Sequence, residues 1–145
     1  MTPFYQRWLT VGAIYGVVVG LWLIALALFP ESLRFDLVGL GLFWPDPARA
    51  GSPTAVALLA TAVSGALTAG LSLIAWSLRP VFQDPAVPAQ VGRAFAHGII
   101  GWFVLDSAAS VLLGSPMNVL GNLSFAIAVL PPTYAFILTR EPRRP

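Results

Sequence analysis

Residues 8–29 read WLTVGAIYGVVVGLWLIALALF, without one charged side chain. At 1.5 Å of rise per residue, such a helix is about 33 Å long, enough to cross the ~30 Å hydrocarbon core of a bilayer. Working outward from it, three more apolar runs of sufficient length occur, at about 54–78, 94–113 and 118–138. The expected fold is therefore all-α: a single membrane domain over residues 1–145, with four transmembrane helices in an antiparallel bundle. The connections are an outer loop, 30–53, a cytoplasmic loop, 79–93, and a near-direct turn through Gly114-Ser115-Pro116.

Composition supports the same solvent. Hydrophobic residues make up 57% of the chain and charged ones only 10%, against about 25% charged in ordinary soluble domains. Eight basic and six acidic side chains cannot cover the surface of a water-soluble protein of 145 residues. With no cysteine, disulfides, thiolate metal sites, iron-sulfur clusters and cysteine nucleophiles are excluded. All basic residues are arginine, which fits a high-GC bacterial coding bias. A net charge of +2, scattered along the chain, gives no nucleic-acid footprint.

Local chemistry marks the span boundaries. Ser52-Pro53 and Ser115-Pro116 each place a hydroxyl before a proline, the arrangement of an N-cap followed by proline at the first helical position. Pro30 and Pro80 follow the first and second runs and are expected to stop those helices. The first run is too long for a signal-peptide core and lacks a small-residue cleavage site, so it is expected to remain as a span.

Arginines set the orientation. The N-terminus, the 79–93 loop and the C-terminus carry Arg7, Arg79, Arg93, Arg140, Arg143 and Arg144, leaving Arg34 and Arg49 opposite. Six against two places both termini in the cytoplasm, with a bacterial inner membrane as the location. Tyr5, Trp8, Trp76 and Tyr134 lie toward the cytoplasmic ends of the spans, and Phe29 and Trp44 toward the outer ends, as interfacial aromatics do. In the outer loop, LVGLGLFW (37–44) is apolar yet too short to span; it reads as an interfacial anchor, with a lid or partner-docking surface as the alternative. A faint echo of Gly51-Ser52-Pro53 in Gly114-Ser115-Pro116, and of Arg7/Gly12 in Arg93/Gly98, is coincidence or the trace of a duplicated hairpin, coincidence being the simpler account in so apolar a sequence.

Helix packing has a clear signature. Gly12, Gly16 and Gly20 repeat every four residues and form one bare stripe; Thr61, Gly65 and Ala69 offer a matching small-residue face in the second span. Close backbone approach is the expected use, within the chain or against other membrane helices, because lipid tails give no hydrophobic drive for helices to associate.

Asp106 most needs an explanation. It falls ~4 Å to the outer side of the middle of the third span, where a carboxylate costs about 2.5–3.5 kcal/mol on the insertion scale. Ser110 lies one turn along the same face, and the tight turn brings Asn122 and Ser124 to similar depth. A polar intramembrane cluster of Asp106, Ser110, Asn122 and Ser124 is the result. It either fixes helix register or serves an ion pathway; one acid without a second acid, base or cation favours the structural role.

His97 does not join that cluster, since nine residues at 100° place it about 180° around the helix and roughly 13 Å away. As a lone histidine it is no basis for haem, and no cofactor or metal is expected. In the fourth span Pro131-Pro132 removes two backbone donors and frees the carbonyls of Ile127 and Ala128; a plain kink is expected, with a cation site at the freed carbonyls as the alternative. No nucleotide loop, nucleophile with a base, or paired catalytic carboxylates occur. The sequence reads as a non-enzymatic accessory or assembly subunit contacting lipid and other membrane helices, with a small oligomeric transporter or channel using Asp106 as the alternative.

Overall fold

A computed structural model of the chain describes residues 1–33 and 54–140. The 37–44 segment, Ser52-Pro53, Trp44, Arg34, Arg49, Arg143 and Arg144 lie outside the described residues. Four helices, α1 (Pro3–Leu28), α2 (Ala55–Gln83), α3 (Ala89–Leu112) and α4 (Asn118–Arg140), are each long and apolar enough to cross a membrane.

Each boundary has a physical cause, and several differ from the sequence expectation. α1 opens on Pro3, whose missing N–H falls where a helix has no partner for it. α2 is capped by Thr54, whose hydroxyl accepts the Ala57 N–H at 3.2 Å. Pro80 does not stop α2; the helix continues to Gln83. The extra turn carries Phe82 into the core, fully buried and stacked on Phe136 with ring centroids 4.4 Å apart. That contact is lost if the chain breaks at Pro80, so packing overrides the local preference. Asp84 then closes the connection, its carboxylate accepting the Ala86 N–H at 2.8 Å.

Between α3 and α4, Gly114 has φ of 79°, a left-handed conformation that suits glycine. Gly114 N–H donates to Val111 O and Ser115 N–H to Ser110 O, at 3.0 and 2.8 Å, the paired bonds of a Schellman cap. α4 begins at Asn118, not at Pro116: residues 115–117 form a turn whose carbonyls accept the N–H groups of Asn118, Val119 and Leu120.

Helix α1 is the hub. It packs on α2 and on α4, α4 packs on α3, and α2 and α3 make hardly any backbone contact. The hinge of this arrangement is the glycine stripe, which turns out to serve two neighbours. A Cβ placed on Gly20 would stand 2.5 Å from Gly65 O and 2.7 Å from Ala69 N, so here α1 meets α2 backbone to backbone. Gly16 faces Ser72 of α2 and Phe125 of α4 together. Gly12 faces α4, its notional Cβ 2.6 Å from Ala128 O. Thr61 is absent from these contacts and binds its own helix, Thr61 Oγ1 donating to Ala57 O.

Burial is uneven along the bundle. At the end that carries residue 1 and residue 140, Leu9, Phe82, Val129 and Phe136 are fully buried and Ala13, Ala96 and Ile99 nearly so. Toward the α3–α4 turn the four helices leave open space between them, since α2 packs on α1 and α3 on α4 while α2 and α3 hardly touch. The outer surface is a sheath of large apolar side chains, among them Val11, Leu59, Leu105 and Leu112, in keeping with lipid as the surrounding solvent.

Candidate functional site

This open space is a cavity of about 760 Å3, lined by all four helices. Residues 57–68 of α2 form one wall, residues 102–110 of α3, the turn with Leu113, Ser115 and Met117, and residues 118–125 of α4 the other, and Tyr15 to Leu23 of α1 the floor. Opposite α1, where α2 and α3 would meet in a closed bundle, helix contact is minimal.

Asp106 stands in the α3 wall, half-buried, and is held by two amides. Asn118 Nδ2 donates to Asp106 Oδ2 at 3.0 Å and Asn122 Nδ2 to the same oxygen at 2.5 Å. The second N–H of each amide is also engaged, Asn118 donating to Ser110 Oγ (2.8 Å) and Asn122 to Ser107 Oγ (3.2 Å). Ser110 in turn donates to the backbone carbonyl of Asp106 at 2.7 Å. Two i, i+4 pairs, Asp106/Ser110 on α3 and Asn118/Asn122 on α4, thus face each other across the turn, which is the geometry helical spacing permits for four polar groups at one depth.

The cluster differs from the expected one at two points. Ser124 does not bond Asp106; it donates to Gly121 O at 2.7 Å and receives the Tyr15 hydroxyl at 2.8 Å, tying α4 to α1 instead. Two positions on from Asn122, it points away from α3 by roughly 200° around the helix. Asn118 and Ser107 belong to the site and are not among the residues expected from sequence. The four-residue spacing of Asn118 and Asn122 was the available signal.

The proline pair has a different role from an open cation site. The Ile127 carbonyl freed by Pro131 accepts the indole N–H of Trp8 at 3.2 Å. The Ala128 carbonyl freed by Pro132 lies against Gly12. Both freed carbonyls therefore face α1, and the defect in α4 becomes the seam on which α1 docks. His97 is exposed on the opposite side of α3 from the cluster.

Comparison with known proteins adds no assignment. The chain matches no family model, no curated protein and no solved structure.

Proposed function

We propose that the chain is a non-enzymatic protein of a bacterial inner (cytoplasmic) membrane, an antiparallel four-span bundle with both termini cytoplasmic, acting as an accessory or assembly subunit of a larger membrane complex. The unequal cover of its helices supports this reading. α1 and α4 bury 39% and 50% of their most apolar stretches, whereas α2 and α3 bury 11% and 17%. Two long apolar helices thus stand at the edges of the molecule, offered to lipid or to other membrane helices. Groups that an ion pathway would use are engaged in packing: Asp106 Oδ2 by two amides, the freed carbonyls by Trp8 and Gly12.

Native mass measurement after extraction in a mild nonionic detergent tests the subunit role. A defined homo-oligomer or a co-purifying membrane protein is expected, and a bare monomer refutes it. Orientation is tested separately, since the chain has no cysteine of its own. Single cysteines at Thr2 and Gln90 are expected to resist an impermeant thiol reagent in intact cells while one at Met117 reacts; the reverse pattern overturns the topology.

A second reading, a small oligomeric transporter or channel using Asp106, draws on the cavity that reaches this carboxylate. Leu9, Phe82, Val129 and Phe136 seal the other end of the protomer, so a path would run between copies. Asp106→Asn is then expected to abolish cation flux in reconstituted vesicles, and undiminished flux removes this reading.

A further inference from the structure

We propose that the cavity is a binding site for an ammonium group carried on an apolar chain, with Asp106 Oδ1 as its counter-charge. The inference uses the membrane placement proposed above but not the subunit role, so a monomeric protein would leave it standing.

The first support is the direction of the hydrogen bonds. Both amide protons of Asn118 and of Asn122, and the hydroxyl proton of Ser110, are donated within the cluster. Across the cavity, Thr61 and Thr68 donate their hydroxyl protons to the carbonyls of Ala57 and Ser64. What these groups have left is lone pairs. Asp106 itself receives both amides on Oδ2, and Oδ1 takes no bond from the described residues and is not among their buried unpaired atoms. The cluster and the facing threonines thus offer acceptors beside a carboxylate oxygen open to the cavity, which suits a ligand with N–H donors and positive charge.

The second support is the lack of a cationic partner among the described residues. Among the described residues no basic side chain lines the cavity, so none of them supplies Asp106 with a counter-charge. An ammonium group supplies one, and in a low-dielectric site the attraction is far larger than in water. A bare metal ion is a poorer match, because no group of three acidic or histidine ligands exists among the described residues and hard cations need several oxygens.

The third support is shape. A volume of about 760 Å3 lies within the ~300–1,000 Å3 of small-molecule sites. Trp22 and Trp102 line it together with aliphatic side chains; the aromatic faces suit a cation and the rest an alkyl or acyl chain. The side on which α2 and α3 make hardly any backbone contact is where that chain would continue into lipid.

The ligand is an aminolipid headgroup or a free amphiphilic amine, and native mass spectrometry of the full chain in nonionic detergent separates these sources. One arm offers phosphatidylethanolamine against phosphatidylglycerol with the same acyl chains; the other offers dodecylammonium against dodecanol. The wild type is expected to retain one ammonium ligand about tenfold more than its competitor in at least one arm, and the arm in which this occurs names the source. Asp106→Asn, nearly isosteric, is expected to bring the ratio to about one. Ala60→Trp, which fills the cavity and leaves Asp106 intact, is expected to lose the ligand. No preference in either arm, a preference that survives Asp106→Asn, or undiminished retention in Ala60→Trp each overturns the proposal.

Discussion

Gly20→Ala adds a single methyl group at the tightest crossing of α1 and α2. Its Cβ would stand 2.5 Å from Gly65 O, 2.7 Å from Ala69 N and 2.9 Å from Ala69 Cβ. Ordinary contact begins at 3.4 Å, so the helices must part by about 0.9 Å, the difference between 3.4 and 2.5. Two of the three obstacles are backbone atoms, which no rotamer change can move aside. Overpacking of this kind costs about 1–3 kcal/mol, and the upper half of that range is expected because the same shift loosens Gly16 against Ser72 one turn away. In lipid the separated surfaces gain no hydrophobic penalty, so the loss is of van der Waals contact between backbones. The internal control is Gly70→Ala on α2, where the added Cβ meets no atom within 4 Å and the better helix propensity of alanine gives a neutral or slightly stabilising change. Denaturation in mixed detergent micelles, followed by tryptophan fluorescence, measures both. Equal midpoints for the two variants would refute the claim that Gly20 is fixed by backbone approach.

The remaining predictions concern the two polar devices. Trp8→Phe removes the donor to Ile127 O and is expected to destabilise by about 1 kcal/mol. Pro131→Ala gives α4 its own donor for that carbonyl, so the loss on Trp8→Phe is expected to shrink to near zero in the Pro131→Ala background; a double-mutant cycle without coupling counts against the docking role of the proline pair. Asn122→Ala takes one donor from Asp106 and leaves Ser107 without its amide partner, a change expected to destabilise by about 1–3 kcal/mol, read in the same denaturation assay. Asn122→Asp should be worse than Asn122→Ala, because it sets a second acceptor against Asp106; the opposite order would mean that the amide proton is not what Asp106 requires.

Of the candidate site, the sequence supplied depth but not direction. Asp106, Ser110 and Asn122 could be grouped because rise per residue fixes height, and the short turn at Gly114 ties the heights of α3 and α4 together. Ser124 satisfied the same height criterion, yet its azimuth turns it to Tyr15 on α1. Asn118 was within reach by the same arithmetic, since a one-turn offset from Asn122 matches that of Ser110 from Asp106. The cavity was not legible at all, because it arises from the sparse contact between α2 and α3 rather than from any local run of residues.

Residue order was enough to show that four helices are long and apolar enough to cross a membrane, that a glycine stripe allows close approach, and that one acid lies near the middle of the third helix. These follow from composition and from distances along a single helix axis. Tertiary structure alone decided that α1 is the hub, that Gly12, Gly16 and Gly20 divide between α2 and α4, that Pro80 lies inside a helix, and that the carbonyls freed by Pro131 and Pro132 meet Trp8 and Gly12. The reason is that helix pairing depends on rotation about each axis and on which neighbour fills which gap, and many arrangements of four apolar rods satisfy lipid equally until backbone contacts and buried hydrogen bonds select one.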